Sequence, residues 1–301
     1  MRTIAIFGPT GVGKTDVAIA LAERLRAEGE DPVAVSADAL QVYDGLAVLS
    51  GAATAAEQAR LEHRLLGVVP VTELFSAGAF ARLAHAEIDA ALEAGRRPIV
   101  IGGTGLYLRA ALAELDLRPP QPEARATWQA RLDEEGPGAL HEELSRRAPE
   151  VAEGIGAADG KRLVRTLELL DAGIELPPAA GGDSQLWTSD TRHPTLLAGL
   201  VMERDALRER IDRRVDAMLA AGAGEEVARA EGLGASATAR KALGFEELLA
   251  GDVEAMKAHT RRYAKRQLTW MRKLPGVHTL DVTGRDPEDV AAVLHGMIRD
   301  Q

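Results

Sequence analysis

The fold is decided at the start of the chain, where Arg2-Thr3-Ile4-Ala5-Ile6-Phe7 runs into Gly8-Pro9-Thr10-Gly11-Val12-Gly13-Lys14-Thr15. The first stretch is a short apolar run typical of a buried strand, and the second has the spacing of a phosphate-binding loop. In such a loop, backbone N–H groups and the lysine bind phosphate oxygens, while the threonine hydroxyl binds a phosphate-associated Mg²⁺. Because a helical pattern follows at residues 16–26, we predict a site for a di- or triphosphate rather than a chance glycine-rich turn.

The composition of the 301-residue chain fits one large α/β domain with an insertion, or two domains. The sequence contains no cysteine, which excludes disulfides and thiolate metal sites. No apolar run approaches membrane-spanning length, and the chain starts directly on the phosphate-loop strand without room for a signal peptide. We therefore expect a cytoplasmic protein that acts as a monomer, with no membrane partner.

Short apolar runs alternate with helical patterns along the first 200 residues. They predict strands at Thr3–Phe7, Pro32–Ser36 and residues 98–101, a further strand around residues 196–202, and helices at residues 14–28, 80–94 and 106–113. This alternation predicts an α/β fold, a P-loop NTPase-like doubly wound parallel sheet.

A proline-rich stretch at residues 117–122 interrupts this alternation. Charged helical patterns follow at residues 123–153, punctuated by Gly136-Pro137-Gly138, and a helix resumes at residues 159–170. We predict a catalytic core of residues 1–118 and 159–301 with a helical C-terminal part, and a helical insertion at residues 119–158. Residues 177–182 are predicted to be a flexible connector.

Two strand ends carry further candidates. Strand Pro32–Ser36 leads to Asp38, whose position we place beside the phosphate loop, where open α/β sheets bind ligands. Asp38 is a candidate Mg²⁺ ligand or proton acceptor, or else a turn cap. The strand at residues 98–101 ends in Gly102-Gly103-Thr104-Gly105, where a nucleotide hydrolase would carry an acidic residue that holds Mg²⁺. This departure weakens the hydrolase hypothesis, although glycines also fit a tight strand-to-helix turn.

Arg214 lies within the apolar face of a helix predicted from residue 204 to residue 221. At 100° per residue it falls about 20° from Leu207, in a stripe completed by Ile211, Val215 and Met218. A cation in such a stripe must meet an anion or extend to solvent, because an unpaired buried charge is too costly. Arg214 is thus a candidate phosphate ligand, with an internal salt bridge as the alternative.

Residues 257–273 are strongly cationic, although the whole chain carries a net charge of −10. They contain seven cations and no acidic residue: Lys257, Arg261, Arg262, Lys265, Arg266, Arg272 and Lys273. Tyr263 and Trp270 stand beside these cations, as aromatic residues do in single-stranded nucleic-acid grooves. The pattern favours RNA or DNA binding over a merely solvated charged face.

Taken together, these motifs resemble the tRNA dimethylallyltransferases, over most of the chain and in the family's order. Besides the phosphate loop, the resemblance rests on Ser36-Ala37-Asp38 with Gln41-Val42-Tyr43, Gly102-Gly103-Thr104-Gly105-Leu106-Tyr107-Leu108, Arg162 with Arg165-Thr166-Leu167-Glu168, Arg210-Ile211-Asp212 with Arg214-Val215, Gly244-Phe245-Glu246-Glu247, and Thr260-Arg261-Arg262-Tyr263-Ala264-Lys265-Arg266-Gln267-Leu268-Thr269-Trp270. The chain departs from the family pattern at residues 49–54, which lack a lysine, at Glu62-His63-Arg64, which has one histidine of a pair, and at Gly156-Ala157-Ala158-Asp159. These departures bear on donor choice and on tRNA affinity. The resemblance also implies that the helical insertion at residues 119–158 contacts tRNA.

The resemblance implies transfer of a dimethylallyl group from its diphosphate to the exocyclic amine of the adenine 3′ to the anticodon in tRNA, with Mg²⁺ as cofactor. It implies Asp38 as the base, Thr104 as the residue that orients it, and Gln41 as the residue that reads the adenine. It also implies Arg214 as a diphosphate ligand and Thr15 as the Mg²⁺ ligand. The implied diphosphate-binding residues are Gly8, Pro9, Thr10, Gly11, Val12, Gly13, Lys14 and Thr15. The implied tRNA-binding residues are Asp38, Ala39, Leu40, Gln41, Thr104, Lys161, Arg162, Leu163, Val164, Arg165, Arg240, Lys241, Ala242, Leu243, Gly244 and Phe245.

Three other functions remain open on the sequence. In a small-molecule P-loop kinase, Asp38 would activate a hydroxyl and Arg214 would act on the transferred phosphoryl group. An isopentenyltransferase acting on free adenine nucleotides would need no extended cationic face. A non-enzymatic RNA-binding module could use a nucleotide as a switch, without need of Thr104 near Asp38.

Overall fold

The computed structural model describes residues 2–176 and 185–299, so the connector predicted at residues 177–182 lies outside the described residues. The strands are β1 (Thr3–Phe7), β2 (Pro32–Ser36), β3 (Tyr43–Asp44), β4 (His63–Arg64), β5 (Val69–Pro70), β6 (Arg97–Gly102), β7 (Thr195–Val201) and β8 (His278–Asp281). The helices are α1 (Lys14–Ala27), α2 (Ala47–Ser50), α3 (Ala55–Arg60), α4 (Ala77–Glu93), α5 (Gly105–Leu112), α6 (Pro122–Arg147), α7 (Pro149–Ala152), α8 (Gly160–Asp171), α9 (Arg204–Ala220), α10 (Ala223–Gly232), α11 (Phe245–Leu249), α12 (Val253–Lys273) and α13 (Pro287–Arg299). Short 3₁₀ turns lie at Gln185–Trp187 and Ala239–Lys241.

The central sheet has the strand order β4-β2-β6-β1-β7-β8, and all of its strand pairs are parallel. Every residue of β1 and β2 is buried, as expected for strands covered on both faces. In register, Ile4 lies between Ile99 of β6 and Leu196 of β7. Helices pack on both faces of the sheet, which confirms the predicted doubly wound α/β fold.

The predicted strands β1 and β2 have the observed bounds, and β6 and β7 differ from their predictions by one residue at each end. The C-terminal part is predominantly helical, as predicted, with helices α9 to α13. It also contains a strand that was not predicted, β8, which pairs with β7 and adds a sixth strand to the sheet. The structure also adds a short parallel pair, β3 with β5.

The strand order sets which segments share an edge of the sheet. The phosphate loop follows β1, the Gly102–Thr104 turn follows β6, and Asp38 follows β2. Because these three strands are parallel neighbours in the order β2-β6-β1, the segments that follow them emerge at the same edge. β6 therefore lies between β2 and β1, so the strand that precedes Asp38 is not the immediate neighbour of the strand that precedes the phosphate loop.

The chain forms two compact units, one of residues 1–115 with 189–301 and one of residues 116–188. The second unit consists of helices α6, α7 and α8 around a core of its own: Trp128, Leu140, Leu144, Ala152, Ile155, Leu163, Val164 and Leu167. Helix α6 is kinked at Gly136, whose φ is 79°, at the predicted interruption. The predicted insertion ended at residue 158, whereas the unit extends to residue 188 because α8 packs against α6.

Candidate active site

A cavity of about 780 Å³ lies where the strand-end segments of the first unit meet helix α9. Its wall includes Thr10, Gly11, Gly13, Lys14, Thr15, Asp38, Leu40, Gln41, Gly51, Gly102, Gly103, Arg210, Arg214, Leu243, Tyr263 and Gln267. The structure thus brings the predicted phosphate loop, the predicted base and the predicted arginine to one cavity. A volume of this size falls in the range of ordinary ligand sites.

The phosphate loop is closed by its own lysine. Lys14 Nζ donates hydrogen bonds to the carbonyl oxygens of Gly8 and Pro9, each at 3.0 Å. Burial lowers the pKa of Lys14 to about 8; the nearby charge of Arg214 lowers it further, and that of Asp38 opposes the shift. Gly13 immediately precedes α1 with a φ of 96°, a conformation that favours glycine. The loop thus presents a lysine and a helix N-terminus to the cavity.

Thr15 lies in the first turn of α1 and lines the cavity. Within the described residues, no group of three or more His, Cys, Asp or Glu side chains is arranged to hold a metal ion. A hydroxyl such as that of Thr15 fits Mg²⁺, which prefers oxygen ligands and keeps several waters or phosphate oxygens. The residues present are therefore compatible with an Mg²⁺ that arrives with a phosphorylated ligand.

Asp38 lines the cavity and also caps a turn. Its Oδ1 accepts a hydrogen bond from Leu40 N at 2.9 Å, the two-residue pattern of an Asx turn. Its charge opposes the lowering of the pKa values of both Lys14 and Arg214, so its carboxylate faces the same region as these two cations. The turn-capping alternative for Asp38 is thus observed, while its role as a Mg²⁺ ligand or proton acceptor stays a prediction for a carboxylate that lines the cavity.

The glycines at the end of β6 permit close approach between the segments around the cavity. A Cβ on Gly102 would lie 2.6 Å from Ala37 O, and one on Gly103 would lie 2.3 Å from Gln267 Nε2. Any larger residue there would push apart β2, β6 and α12. The glycines are thus required by packing, and their small size keeps the space between Asp38 and the phosphate loop open.

Thr104 has a different partner from the one predicted. Its Oγ1 lies 2.7 Å from the hydroxyl of Tyr263 on α12, and Thr104 is not part of the described cavity wall. In this structure the direct hydrogen bond to Asp38 comes from Leu40 N. Thr104 therefore contacts the site through Tyr263, which does line the cavity.

Arg214 reaches the cavity from α9 without an ion pair. Its Nη2 donates to Gly51 O at 3.1 Å, and its buried Nε has no hydrogen-bond partner among the described residues. Burial is the main cause that lowers its pKa, opposed first by the charge of Asp38. Arg210, one turn earlier, comes within 3.3 Å of a Cβ built on Gly13. The internal salt bridge that was the alternative for Arg214 is not found in the described part of the chain, so this cation is available to an anion.

A model of the IPP transferase family matches residues 41–274, which include Asp38's neighbour Gln41, the Gly102–Thr104 turn, Arg214 and α12. The chain belongs to the IPP transferase family. Among curated proteins it is 40% identical to a tRNA dimethylallyltransferase of Thermobifida fusca, with 97% of this chain and 93% of that one covered. It is 38% identical to a tRNA dimethylallyltransferase of Streptomyces avermitilis, with 95% and 92% covered.

Solved structures give the same assignment. A full-length tRNA isopentenylpyrophosphate transferase from Bacillus halodurans aligns with a TM-score of 0.71 at 31% identity, covering 99% of this chain and 96% of that one. A eukaryotic dimethylallyltransferase shares the fold with a TM-score of 0.76 at 23% identity, covering 100% and 80%. This IPP transferase therefore matches its relatives along nearly its whole length.

The candidate base-reading residue of this IPP transferase, Gln41, is held on both sides. Its Oε1 accepts from Ser36 Oγ at 2.8 Å, and its Nε2 donates to Gly51 O at 3.3 Å. Ala39 and Leu40 are half-buried beside it. Gly51 O thus accepts hydrogen bonds from both Gln41 and Arg214, and joins the predicted base-reading and phosphate-binding residues.

The cationic helix α12 has two kinds of charges. Lys257 pairs with Asp216 and Arg261 with Asp212, both on α9 and both at 2.7 Å, so these two cations hold helices together. The others are exposed: Arg262, Lys265, Arg266, Arg272 and Lys273. Arg266 lies 5.4 Å from the centre of the Tyr263 ring. The face that is open to an anionic partner is smaller than the sequence indicated.

Two other predicted tRNA-binding segments contain residues that the fold buries. Leu163 and Val164 lie in the core of the second unit, and Arg165 Nη2 donates to Arg118 O at 2.5 Å while Nη1 binds the buried Glu168. Burial removes the side chains of Leu163 and Val164 from any RNA-facing surface, whereas Arg165 is partly exposed and its contact with tRNA stays a prediction. Lys161 and Arg162 are exposed and remain predicted contacts.

The segment at residues 240–245 is divided in the same way. Ala242 and Phe245 are buried, which removes their side chains from an RNA-facing surface, and Gly244 is buried as well. Arg240 pairs with Glu231 and Glu246 and lies 5.3 Å from the centre of the Phe245 ring. Lys241 is exposed and Leu243 lines the cavity, so these two remain predicted contacts.

Sequence reasoning missed Gln267 as a site residue and counted Tyr263 only as an aromatic neighbour of the cations. The signal was present: Thr260, Ala264, Gln267 and Met271 share one face of α12, and that face is buried. A glutamine in a buried stripe requires a hydrogen-bond partner. Separately, none of the helices that the structure describes is long and apolar enough to cross a membrane.

Proposed function

We propose that this IPP transferase moves the dimethylallyl group of dimethylallyl diphosphate to the exocyclic amine of the adenine 3′ to the anticodon in tRNA. The observation that carries this proposal is the shared cavity of Asp38, Lys14 and Arg214, which sets a carboxylate opposite two cations. Membership of the IPP transferase family and the names of the relatives support it.

The cations of the cavity suit a departing diphosphate. The carbon–oxygen bond of the donor breaks as the adenine nitrogen attacks the allylic carbon, so negative charge grows on the diphosphate. Fixed donors assist most where charge develops in the transition state. Lys14, Arg214 and the backbone N–H groups of the phosphate loop supply such donors. No water needs to be positioned against phosphorus, which fits the glycines at the end of β6.

Asp38 receives the proton that the adenine amine loses. As the new nitrogen–carbon bond forms, the amine becomes positively charged and acidic, so a carboxylate of ordinary basicity can accept its proton. The Asp38 Oδ1 that binds Leu40 N holds the carboxylate in place, and its other oxygen is free to accept. The products are prenylated adenine, diphosphate and a protonated Asp38 that returns its proton to solvent.

Mg²⁺ would be held by the Thr15 hydroxyl together with diphosphate oxygens. When bound, it would supply further positive charge to the leaving group. The tRNA would be held by the exposed cations of α12, together with Lys161, Arg162 and Lys241. The target base must leave its stack to enter the cavity, which costs little in a single-stranded loop.

The decisive experiment uses labelled substrates. The purified chain is incubated with unmodified tRNA and either dimethylallyl diphosphate labelled in the allyl group or ATP labelled in the γ-phosphate. Label in tRNA from the allylic donor alone is the expected result. Transfer or release of the γ-phosphate would favour the kinase, label in free adenine nucleotides but not in tRNA would favour the free-nucleotide transferase, and tRNA binding without either would favour the RNA-binding module.

A further inference from the structure

Gln267 connects the cationic helix α12 to the phosphate loop. Its side chain is only 4% exposed, and its Oε1 accepts a hydrogen bond from the backbone N–H of Thr10 at 2.8 Å. Its amide nitrogen packs against Gly103. Tyr263, one turn earlier on α12, has its hydroxyl 2.7 Å from Thr104 Oγ1. One buried amide thus touches both the phosphate loop and the turn after β6.

The hydrogen bond to Thr10 fixes more than one atom, because a peptide group is planar and trans. No cis peptide bond occurs among the described residues. The C=O of Pro9 and the N–H of Thr10 belong to one peptide plane and point in opposite directions. Since the N–H points to Gln267, the carbonyl points away from α12, where it accepts from Lys14 Nζ at 3.0 Å and from Val12 N at 3.3 Å.

We propose that Gln267 is a positioning residue. By holding the peptide plane between Pro9 and Thr10, it fixes the position from which the Lys14 ammonium group binds the diphosphate. The inference rests on the proposed function to the extent that the loop receives a diphosphate. It gives a physical role to Gln267, which no step of the transfer reaction uses.

Without its acceptor, the Thr10 N–H is left unsatisfied in a partly buried loop, and the peptide plane is free to rotate. Loss of this hydrogen bond destabilises the orientation of the Pro9–Thr10 peptide and of Lys14, so the affinity for the diphosphate should fall about tenfold. The exposed side of α12 would be unchanged, so the loss is expected for the phosphate ligand and not for the RNA.

The test compares Gln267→Met, which keeps the length of the side chain without its polar atoms, with Gln267→Glu, which keeps an acceptor for Thr10. Thr269→Ala on the exposed side of α12 is the matched control. The probe is inorganic pyrophosphate, titrated calorimetrically into the full-length protein, and hydrogen exchange of the Thr10 amide is followed by NMR. Thermal denaturation reports any general loss of structure.

We expect Gln267→Met to bind pyrophosphate about tenfold more weakly and to lose protection of the Thr10 amide, while Thr269→Ala matches the unsubstituted protein. Gln267→Glu should keep the Thr10 amide protected even though its added charge weakens pyrophosphate binding. Loss of protection in Gln267→Glu would overturn the inference, and that result can be read even if Gln267→Met does not fold.

A second comparison separates positioning from a general structural role. In Gln267→Met the peptide plane that aligns Lys14 is freed, so pyrophosphate affinity should fall while the melting temperature stays close to that of the unsubstituted protein. Equal affinity in the two proteins would reject the inference alone. Failure of the unsubstituted protein to bind pyrophosphate would reject the diphosphate-binding function, and the inference with it.

Discussion

Helices α9 and α12 both carry cations towards the cavity region, but the surroundings of these cations differ. Within residues 2–176 and 185–299, Arg214 on α9 has a buried Nε without a hydrogen-bond partner, and its Nη2 donates one hydrogen bond to a backbone carbonyl. Lys257 and Arg261 on α12 are each neutralised by a carboxylate of α9. A paired cation stabilises the contact between helices, whereas an unpaired cation that lines a cavity is held ready for an anion. The role of a cationic side chain therefore follows from the groups that contact it, and not from its position in a cationic stretch of sequence.

The largest expected effect concerns the one carboxylate assigned to chemistry. Asp38→Asn keeps the shape of the side chain and its hydrogen bond to Leu40 N but removes the base, so the rate of prenyl transfer should fall by about 10²–10⁴. Single-turnover transfer from labelled dimethylallyl diphosphate measures the rate, and filter binding measures tRNA affinity, which should be unchanged. Asp44→Asn, at an exposed carboxylate of β3, is the control. A parallel loss of tRNA binding would contradict the assignment of Asp38 as base.

Next comes the direct comparison of the two arginines. Arg214→Met should lower the transfer rate by about 10²–10³, the usual cost of removing one donor to developing charge. Arg261→Met should leave the rate nearly unchanged and lower the free energy of unfolding by about 1 kcal/mol or less. Steady-state kinetics and thermal denaturation of both variants give the result. If the two variants lost activity equally, the distinction between paired and unpaired cations would fail.

A smaller effect follows from the lowered pKa of Lys14. The ammonium form binds diphosphate, and burial holds its pKa at about 8. Below pH 8 the charge is present in the free protein. Above pH 8 a proton must first be taken up, so pyrophosphate affinity should fall by up to about tenfold per pH unit. Calorimetric titration across pH 7 to pH 10, with Lys14→Met as the reference that has no such group, measures this. Ionisation of pyrophosphate is common to both proteins, and identical profiles would contradict the role of Lys14.

The smallest effect concerns the exposed cations of α12. Replacing Arg262 and Lys265 by glutamine should weaken tRNA binding and reduce the salt slope of log affinity by about 1.4, as expected for two lost contacts to a single strand. Arg82→Gln, at an exposed cation of α4, is the control. Filter binding at several salt concentrations gives the slopes. An unchanged slope would place the RNA on another surface.

The sequence was sufficient where the signal is local. The β-branched runs of β1 and β2 and the phosphate-loop motif are contiguous, so both the strands and the loop could be located from the residues alone. Strand β8 was missed because only Leu280 of its residues is buried, which leaves no apolar run to recognise. Helix α8 was predicted to belong to the catalytic core, whereas it belongs to the second unit. Its assignment depends on packing against α6, and no local sequence pattern indicates that contact.

The site was predictable in its parts more than in its connections. The face of Arg214 followed from helical periodicity, and Asp38 followed from its position after a strand. The contacts from Arg214 to Gly51 O and from Gln267 to Thr10 N join residues far apart in the chain, so only the fold reveals them. Apolar members of the predicted tRNA-binding segments, such as Leu163 and Phe245, are buried. A sequence motif contains both residues that can contact a ligand and residues that pack beneath them, and the sequence alone does not separate the two.

The restriction to glycine at position 51 limits how the proposed specificity for the allylic diphosphate donor could be redesigned. A Cβ at this position would lie 1.8 Å from Arg214 Nη2, and its φ of 59° already favours glycine. The adjoining Ala52, Ala53 and Thr54 also line the cavity without carrying this restriction. A library aimed at longer or bulkier allylic diphosphates should therefore vary residues 52–54 and keep position 51 as glycine, since any side chain there would displace Arg214, the residue proposed to bind the leaving diphosphate.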